Sequence, residues 1–235
     1  MISREPHGGH RSVSGGLARA SVFGVSDGLV SNVSLLLGFA GSGADNTIVR
    51  LAGVAGAVAG AISMAAGEWV SVSSQNDLID RELAIERREL AHNTEHETEE
   101  LADIYVSHGI DPDRAAAAAA DVMRHPDTAL AVHAREELGV DPDDLPSAFW
   151  AAGLSFVCFI FGALLPLIPW YVGSGGRAAI ASLAIGVVAA AVVGGLVARF
   201  AEKPLAFGIA RQVAIVLVAC GVTYVIGELV GINLT

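Results

Sequence analysis

Residues 51–90 read LAGVAGAVAGAISMAAGEWVSVSSQNDLIDRELAIERREL. The first half, 51–70, is almost wholly Ala, Gly and other uncharged side chains, with Glu68 as its one charge. About 20 such residues in a helix match the hydrocarbon thickness of a bilayer. The second half keeps apolar residues at Leu78, Leu83, Ile85 and Leu90 and fills the positions between them with charge. One helix can therefore cross a membrane and continue into an acidic, water-facing segment. That reading predicts a polytopic all-α membrane protein with a polar domain inserted behind its second span.

The charge distribution supports the insertion. The chain is 53% hydrophobic and 17% charged, with 27 glycines in 235 residues, far more apolar than an ordinary soluble domain. Residues 71–146 hold 19 acidic and six basic side chains, a net charge of −13, whereas the whole chain carries −11. Everything outside this block is nearly neutral. Four further apolar segments, about 22–40, 148–170, 178–198 and 213–230, bring the predicted spans to five. The third ends in PLIPWYVG, whose prolines and aromatics suit a membrane interface.

Basic residues set the orientation. With the N-terminus in the cytoplasm, twelve of the 14 Lys and Arg fall on that side: Arg4, Arg11, Arg19, the insert's six arginines, Arg199, Lys203 and Arg211. Arg50 and Arg177 fall on the other side, a positive-inside pattern. The expected layout is a cytoplasmic tail (1–20), two spans (21–72), a cytoplasmic acidic domain (73–146) and three spans (147–235), with the C-terminus outside. The first sixteen residues contain no apolar run for a cleavable signal peptide, so none is expected. Without a visible organellar signal, the expected location is the cell (inner) membrane. Cys158 and Cys220 sit in apolar runs and read as core residues, without a disulfide or thiolate metal site.

Turn chemistry divides the insert into short helices. Thr94 with Glu97 has capping-box spacing. Asp111 and Asp141, each followed by Pro, fit an N-cap with Pro at the first helical position. Gly139 closes a helix running through HPDTALAVHAREELG. A bundle of three or four helices is expected, with the run Ala115 to Ala120 packed inside.

Several side chains stand out chemically. Asp27, in SDGLVSN, is an acid within a predicted span, costly there by about 2.5–3.5 kcal/mol on insertion scales. Its neighbours Ser26, Ser31 and Asn32 carry oxygens that help a cation shed water. Met64 and Glu68 lie four residues apart on one helix face, and a thioether beside a carboxylate suits borderline Fe²⁺ or Mn²⁺. A lone Met in an apolar helix is usually a packing residue, and spacing alone favours that reading of Met64. Gly56 and Gly60 form a small-residue pair that suits either a dimer interface or packing within one bundle. In the insert, Glu82, Glu86 and Glu89 share one helix face, and Glu97 and Glu100 share the next. If the two helices fold back, these carboxylates converge into an oxygen-rich divalent-metal site; a solvated acidic face is the other reading.

Other classes are disfavoured. A single Glu89-x-x-His92 lacks the second copy needed for a carboxylate di-iron centre. The sequence has no Walker-type phosphate loop, no spacing typical of a nucleophilic triad and no basic stripe for nucleic acid. Any transport must therefore use an ion gradient or run downhill, and the protein is expected not to be an enzyme.

The stretches FGVSDGLVSN, GAISMAAGEWVSVSSQ and ALAVHAREELGVDPDD resemble the vacuolar iron transporter family, from about Gly16 to the end. The resemblance implies five spans, a homodimer in the lipid bilayer, and export of Fe²⁺, often with Mn²⁺, from the cytosol by proton antiport. Zn²⁺ or Co²⁺ would act as surrogates. It also implies a transport path through Asp27 and Met64, and metal-domain ligands at Glu86, Glu89, Glu97, Glu100 and Glu137. One departure is visible: where the family pattern can carry a Met pair before the last Glu, this chain has His133 and Ala134. His133 can still ligate metal, and Ala134 cannot. The rival expectation is a membrane-anchored metal sensor or store without transport, which has no need of an intramembrane acid at Asp27.

Overall fold

The structure, a computed structural model, describes residues 16–232, with side chains described for 20–231. Most of the expected N-terminal tail, including Arg4, Arg11 and the Arg19 side chain, lies outside the described residues. Among the described residues nine α-helices follow one another: α1 (Gly16–Gly41), α2 (Asn46–His92), α3 (Thr94–Ser107), α4 (Pro112–Val122), α5 (Pro126–Glu136), α6 (Ala148–Leu164), α7 (Ile168–Val172), α8 (Gly175–Phe200) and α9 (Leu205–Ile232). A 3₁₀ turn, Leu165–Leu167, joins α6 to α7, and no strand occurs among the described residues. Among the described residues five stretches are long and apolar enough to cross a membrane: Ala20–Gly41, Asn46–His92, Ala148–Val172, Gly175–Phe200 and Leu205–Gly231. The helix expected to run on from the second span does so. At 47 residues α2 is more than twice the length that a bilayer needs.

The chain forms two compact units, Val70–Ala148 and the remainder. In the apolar unit, backbones approach closely at glycines. A Cβ on Gly28 would strike the Phe159 carbonyl, and one on Gly227 would strike that of Gly38. Small residues allow this intimacy where lipid supplies no hydrophobic drive between helices. Along α8 the buried positions are Ala178, Ser182, Gly186, Ala190, Gly194 and Ala198, one every fourth residue. Polar side chains cap carbonyls between helices: Ser182 Oγ donates to Pro166 (2.5 Å) and Thr223 Oγ1 to Ser34 (2.8 Å). At one end of α2, Arg50 Nε donates to the Trp170 carbonyl (2.5 Å), and its guanidinium lies over the Tyr171 ring. Large apolar side chains such as Leu51, Val58, Phe161, Val188 and Val218 point outward, as a lipid-facing surface requires. The Gly56 and Gly60 pair packs within this unit: Leu35 of α1 and Phe159 of α6 fill the space beside them.

The acidic unit combines the second half of α2 with α3, α4 and α5. Asp111 caps α4 through Asp113 N and Arg114 N, with Pro112 in the first turn. Only Ala115 and Ala119 of the alanine run are fully buried, one helical turn apart. Two local expectations change. Thr94 does not cap α3: Asn93 takes that position, and the Thr94 hydroxyl instead donates back to the Leu90 carbonyl (2.8 Å). Glu97 is thereby released from a capping role and turns inward. Asp141 starts no helix. Its carboxylate accepts from Asp143 N and from Arg135, holding a turn instead, and these bonds draw its pKa below the usual carboxylate range. Gly139, in the left-handed region (φ 66°), ends the α5 segment as expected.

Candidate functional site

Two constellations emerge, one in each unit. In the apolar unit, α1 and α2 line a cavity of about 580 Å³, closed on one side by Phe159 of α6. Asp27, Asn32, Met64 and Glu68 all border it. The helical period explains the arrangement on α2. Gly56, Gly60, Ser63 and Gly67 step by four, three and four residues, keeping one face small and the space open. Met64 and Glu68 flank that face. On α1, Ser31 Oγ donates to Asp27 Oδ1 (3.1 Å), holding the part-buried carboxylate toward the cavity. Asn32 is 2% exposed, and its Nδ2 donates to the Ala163 carbonyl of α6 (2.6 Å). The polar lining groups are few: a carboxylate pair, a thioether, an amide and the hydroxyls of Ser31 and Ser63.

In the acidic unit, four ligand atoms from Glu86, Glu97, His133 and Glu137 lie within 4.8 Å of one another. Glu86 comes from α2, Glu97 from the first turns of α3, His133 from α5 and Glu137 from the residue after it. Leu83 and Ile79 of α2 pack against Ala134 beneath, which fixes α5 against α2. His133 is fully buried. Its Nδ1 lies 2.8 Å from Glu137 Oε1, 3.2 Å from Glu86 Oε1 and 3.8 Å from Glu97 Oε2. Nδ1 is hydrogen-bonded to Glu137, and Glu86 Oε1 is buried without a hydrogen-bond partner. Burial foremost, and then the nearby carboxylates led by Glu137, push the Glu86 pKa from 4.5 to about 7, against the pull of His133. Burial and then Glu100 raise Glu97 likewise. Carboxylates gathered this tightly repel unless a proton or a cation lies between them. Three carboxylates and an imidazole form a hard-to-borderline donor set, suited to Mn²⁺, Fe²⁺, Co²⁺ or Zn²⁺.

The remaining expected ligands sit apart from this core. Glu100 and His96 are exposed on α3 and group with the buried Glu97. Glu89 is exposed and contributes potential to both buried glutamates. Glu82 pairs with Arg81. Phe159 and Ser63, which border the cavity, escaped the reading of the sequence. The small-residue spacing along α2 could have flagged Ser63, whereas nothing in the local sequence marks Phe159.

Residues 18–228 match the sequence model of the VIT family. Among curated proteins, vacuolar iron transporter 1 of Eucalyptus grandis is 31% identical over 204 residues, covering 86% of this chain and 81% of that protein. Vacuolar iron transporter 1 of Oryza sativa subsp. japonica is 30% identical over 199 residues, covering 84% and 79%. The vacuolar iron transporter of Acanthamoeba castellanii is 40% identical over 161 residues, covering 68% of this chain and 58% of that protein. With a family match across nearly its whole length and five apolar helices behind it, this chain is a multi-pass membrane protein of the VIT family, whose named relatives are transporters rather than enzymes.

Proposed function

We propose that this protein carries Fe²⁺, and with it Mn²⁺, out of the cytosol in exchange for protons. The observation that supports this best is the cavity between α1 and α2, where Asp27, Met64, Glu68 and Asn32 face one space. In this mechanism Asp27 alternates between proton and metal, and the Ser31 hydroxyl holds its orientation in both states. Met64 offers a soft sulfur contact that Ca²⁺ and Mg²⁺, which favour oxygen, do not reward. Glu68 supplies a second carboxylate one turn away.

Residues 73–146 act in this scheme as a cytoplasmic collector. The Glu86, Glu97, His133 and Glu137 cluster binds metal, while Glu89, Glu100 and Glu82 raise its local concentration by their charge. The protein works as a homodimer in the cell membrane, with its N-terminus and collector inside and its C-terminus outside. The apolar α2 side chains Leu51, Val58 and Ile62 are exposed within one copy, leaving a surface for lipid or a second copy to cover.

The deciding experiment is metal uptake into proteoliposomes with and without an imposed pH gradient. Uptake of Fe²⁺ and Mn²⁺ that accelerates when the receiving side is acidic is the expected result. Metal binding without any flux would identify a sensor or store instead. Zn²⁺ and Co²⁺ serve as air-stable surrogates for the binding measurements.

A further inference from the structure

Asn32 carries a feature that helix packing alone does not explain. Its amide is almost completely buried, with 2% exposure, and its two ends differ sharply. Nδ2 donates to the Ala163 carbonyl at 2.6 Å. A backbone carbonyl only accepts, so this bond fixes which end of the amide is nitrogen. The other end, Oδ1, is buried and accepts no hydrogen bond. It lies against Gly56, where a Cβ would stand 3.4 Å from it and 2.5 Å from Leu35 Cδ2. Gly56 and Asn32 both line the space that Asp27 and Met64 share. A carbonyl oxygen held rigidly in a buried cavity without a donor is a poor packing element and a good cation ligand, since buried polar atoms almost always find partners.

We infer that Asn32 Oδ1 is a ligand for the transported divalent cation, and that this neutral, hard oxygen biases the path toward Mn²⁺ and Fe²⁺ over softer ions. The inference rests on the transport reading above and adds to it an atom and a selectivity role. Asp27 supplies charge and can be titrated by the counter-transported proton. Asn32 supplies a donor that no proton displaces, so the ion keeps one contact when the carboxylate is protonated. Gly56 places no side chain of its own against that donor.

The test is Mn²⁺ uptake by the full-length protein in proteoliposomes, with Zn²⁺ as competitor, comparing wild type with Asn32→Cys, Asn32→Leu and Gly56→Ala. Replacing the oxygen by sulfur should lower the preference for Mn²⁺ over Zn²⁺ by about tenfold, as ligand softness dictates. Asn32→Leu should raise the KM for Mn²⁺ by about tenfold, the scale on which metal sites respond to altered surroundings. Gly56→Ala leaves the Nδ2 bond to Ala163 in place and should also raise KM, because its methyl group, 3.4 Å from Oδ1, displaces the Leu35 side chain that it would meet at 2.5 Å and narrows the cavity beside that oxygen. Should the Leu variant fail to insert, the Cys and Gly56→Ala variants decide. An unchanged preference and an unchanged KM in the variants that insert would overturn the inference and leave Asn32 as a staple between α1 and α6. A wild-type protein that moves no Mn²⁺ would defeat the transport reading itself, a result distinct from active wild type with indifferent Asn32 variants.

Discussion

The cavity and the glutamate cluster use similar ligand types in opposite ways. Around the cavity, two carboxylates, a thioether and an amide are spread over about 580 Å³ of mostly apolar wall. In the acidic unit, three carboxylates and an imidazole present ligand atoms within 4.8 Å of one another. A dispersed set cannot satisfy an ion all at once, so the ion is held weakly and can leave. A concentrated set repels itself when empty and gains most when filled. In the proposed scheme the difference assigns passage to one site and capture to the other, and in each case it follows from backbone placement. Small residues keep the α2 face of the cavity hollow, whereas the packing of Leu83 and Ile79 on Ala134 draws α2 and α5 together.

This contrast can be broken experimentally. The largest effect is expected at the cavity. Asp27→Ala should abolish metal flux into proteoliposomes while the protein still inserts, because the scheme has no other residue on α1 that exchanges a proton for metal. Residual flux near the wild-type level would remove Asp27 from the path. A smaller effect is expected in the cluster. The double substitution of Glu86→Gln and Glu97→Gln should weaken Co²⁺ binding to the full chain by about tenfold or more yet leave flux at saturating metal largely intact. Glu82→Gln, away from the cluster, should bind as wild type does. Equal losses from Glu82→Gln and the double variant would mean that bulk charge, not the cluster, gathers the metal.

The smallest and most diagnostic effect concerns pH. An acid whose folded pKa lies above its unfolded value favours the protonated fold, so its stabilising contribution is present at low pH and fades as pH rises. For Glu86 that window runs from 4.5 to about 7, and the raised Glu97 acts in the same direction. The metal-free protein should therefore melt at lower temperature at pH 7.5 than at pH 5 (both about these values, on either side of the window). Added Mn²⁺ should reverse the trend, since metal replaces the proton between the carboxylates. Circular dichroism melting curves with and without metal measure both. A metal-free protein that gains stability across this window would show that the glutamates are not crowded in solution.

How much of this was legible in the sequence differs between the two regions for a physical reason. The spans and the long α2 were legible because hydrophobic length and charge placement are one-dimensional properties. Met64 and Glu68 shared a face because helical spacing alone puts them there. Asp27 and Asn32 could be singled out by their cost in an apolar helix, but their shared cavity depends on how α1 meets α2. Phe159 was invisible, since a Phe in a run of apolar residues carries no mark until the backbone brings it against Gly60. In the acidic unit, the spacing placed Glu82, Glu86 and Glu89 on one face without telling which of them faces inward. Tertiary packing chose Glu86. The capping box failed for a related reason: Asn93 takes the position before α3, and Glu97 is buried beside His133 instead. The centrality of His133 came from its place in α5, one turn before Glu137, which lets both reach the same point.

The buried stripe of α8 has a consequence for how the apolar unit tolerates change. Four residues turn an α-helix by about 400°, so a stripe with that spacing drifts about 40° at each step and about 200° from Ala178 to Ala198. It is a thread on a screw, and each neighbour meets it at a different depth. Ala178 packs with Leu167 and Trp170, Gly186 meets Val33 of α1, and Gly194 and Ala198 meet Gly208 of α9. The order of partners around α8 is thus written as a pitch, not as any particular residue. Losing one residue between Ser182 and Gly186 would leave the early pairings in place and rotate every later one by about 100°. A methyl group at Gly186 would ask Val33 to give by a few tenths of an ångström, one at Gly194 would strike the Gly208 carbonyl, and a single-residue slip strips the whole thread.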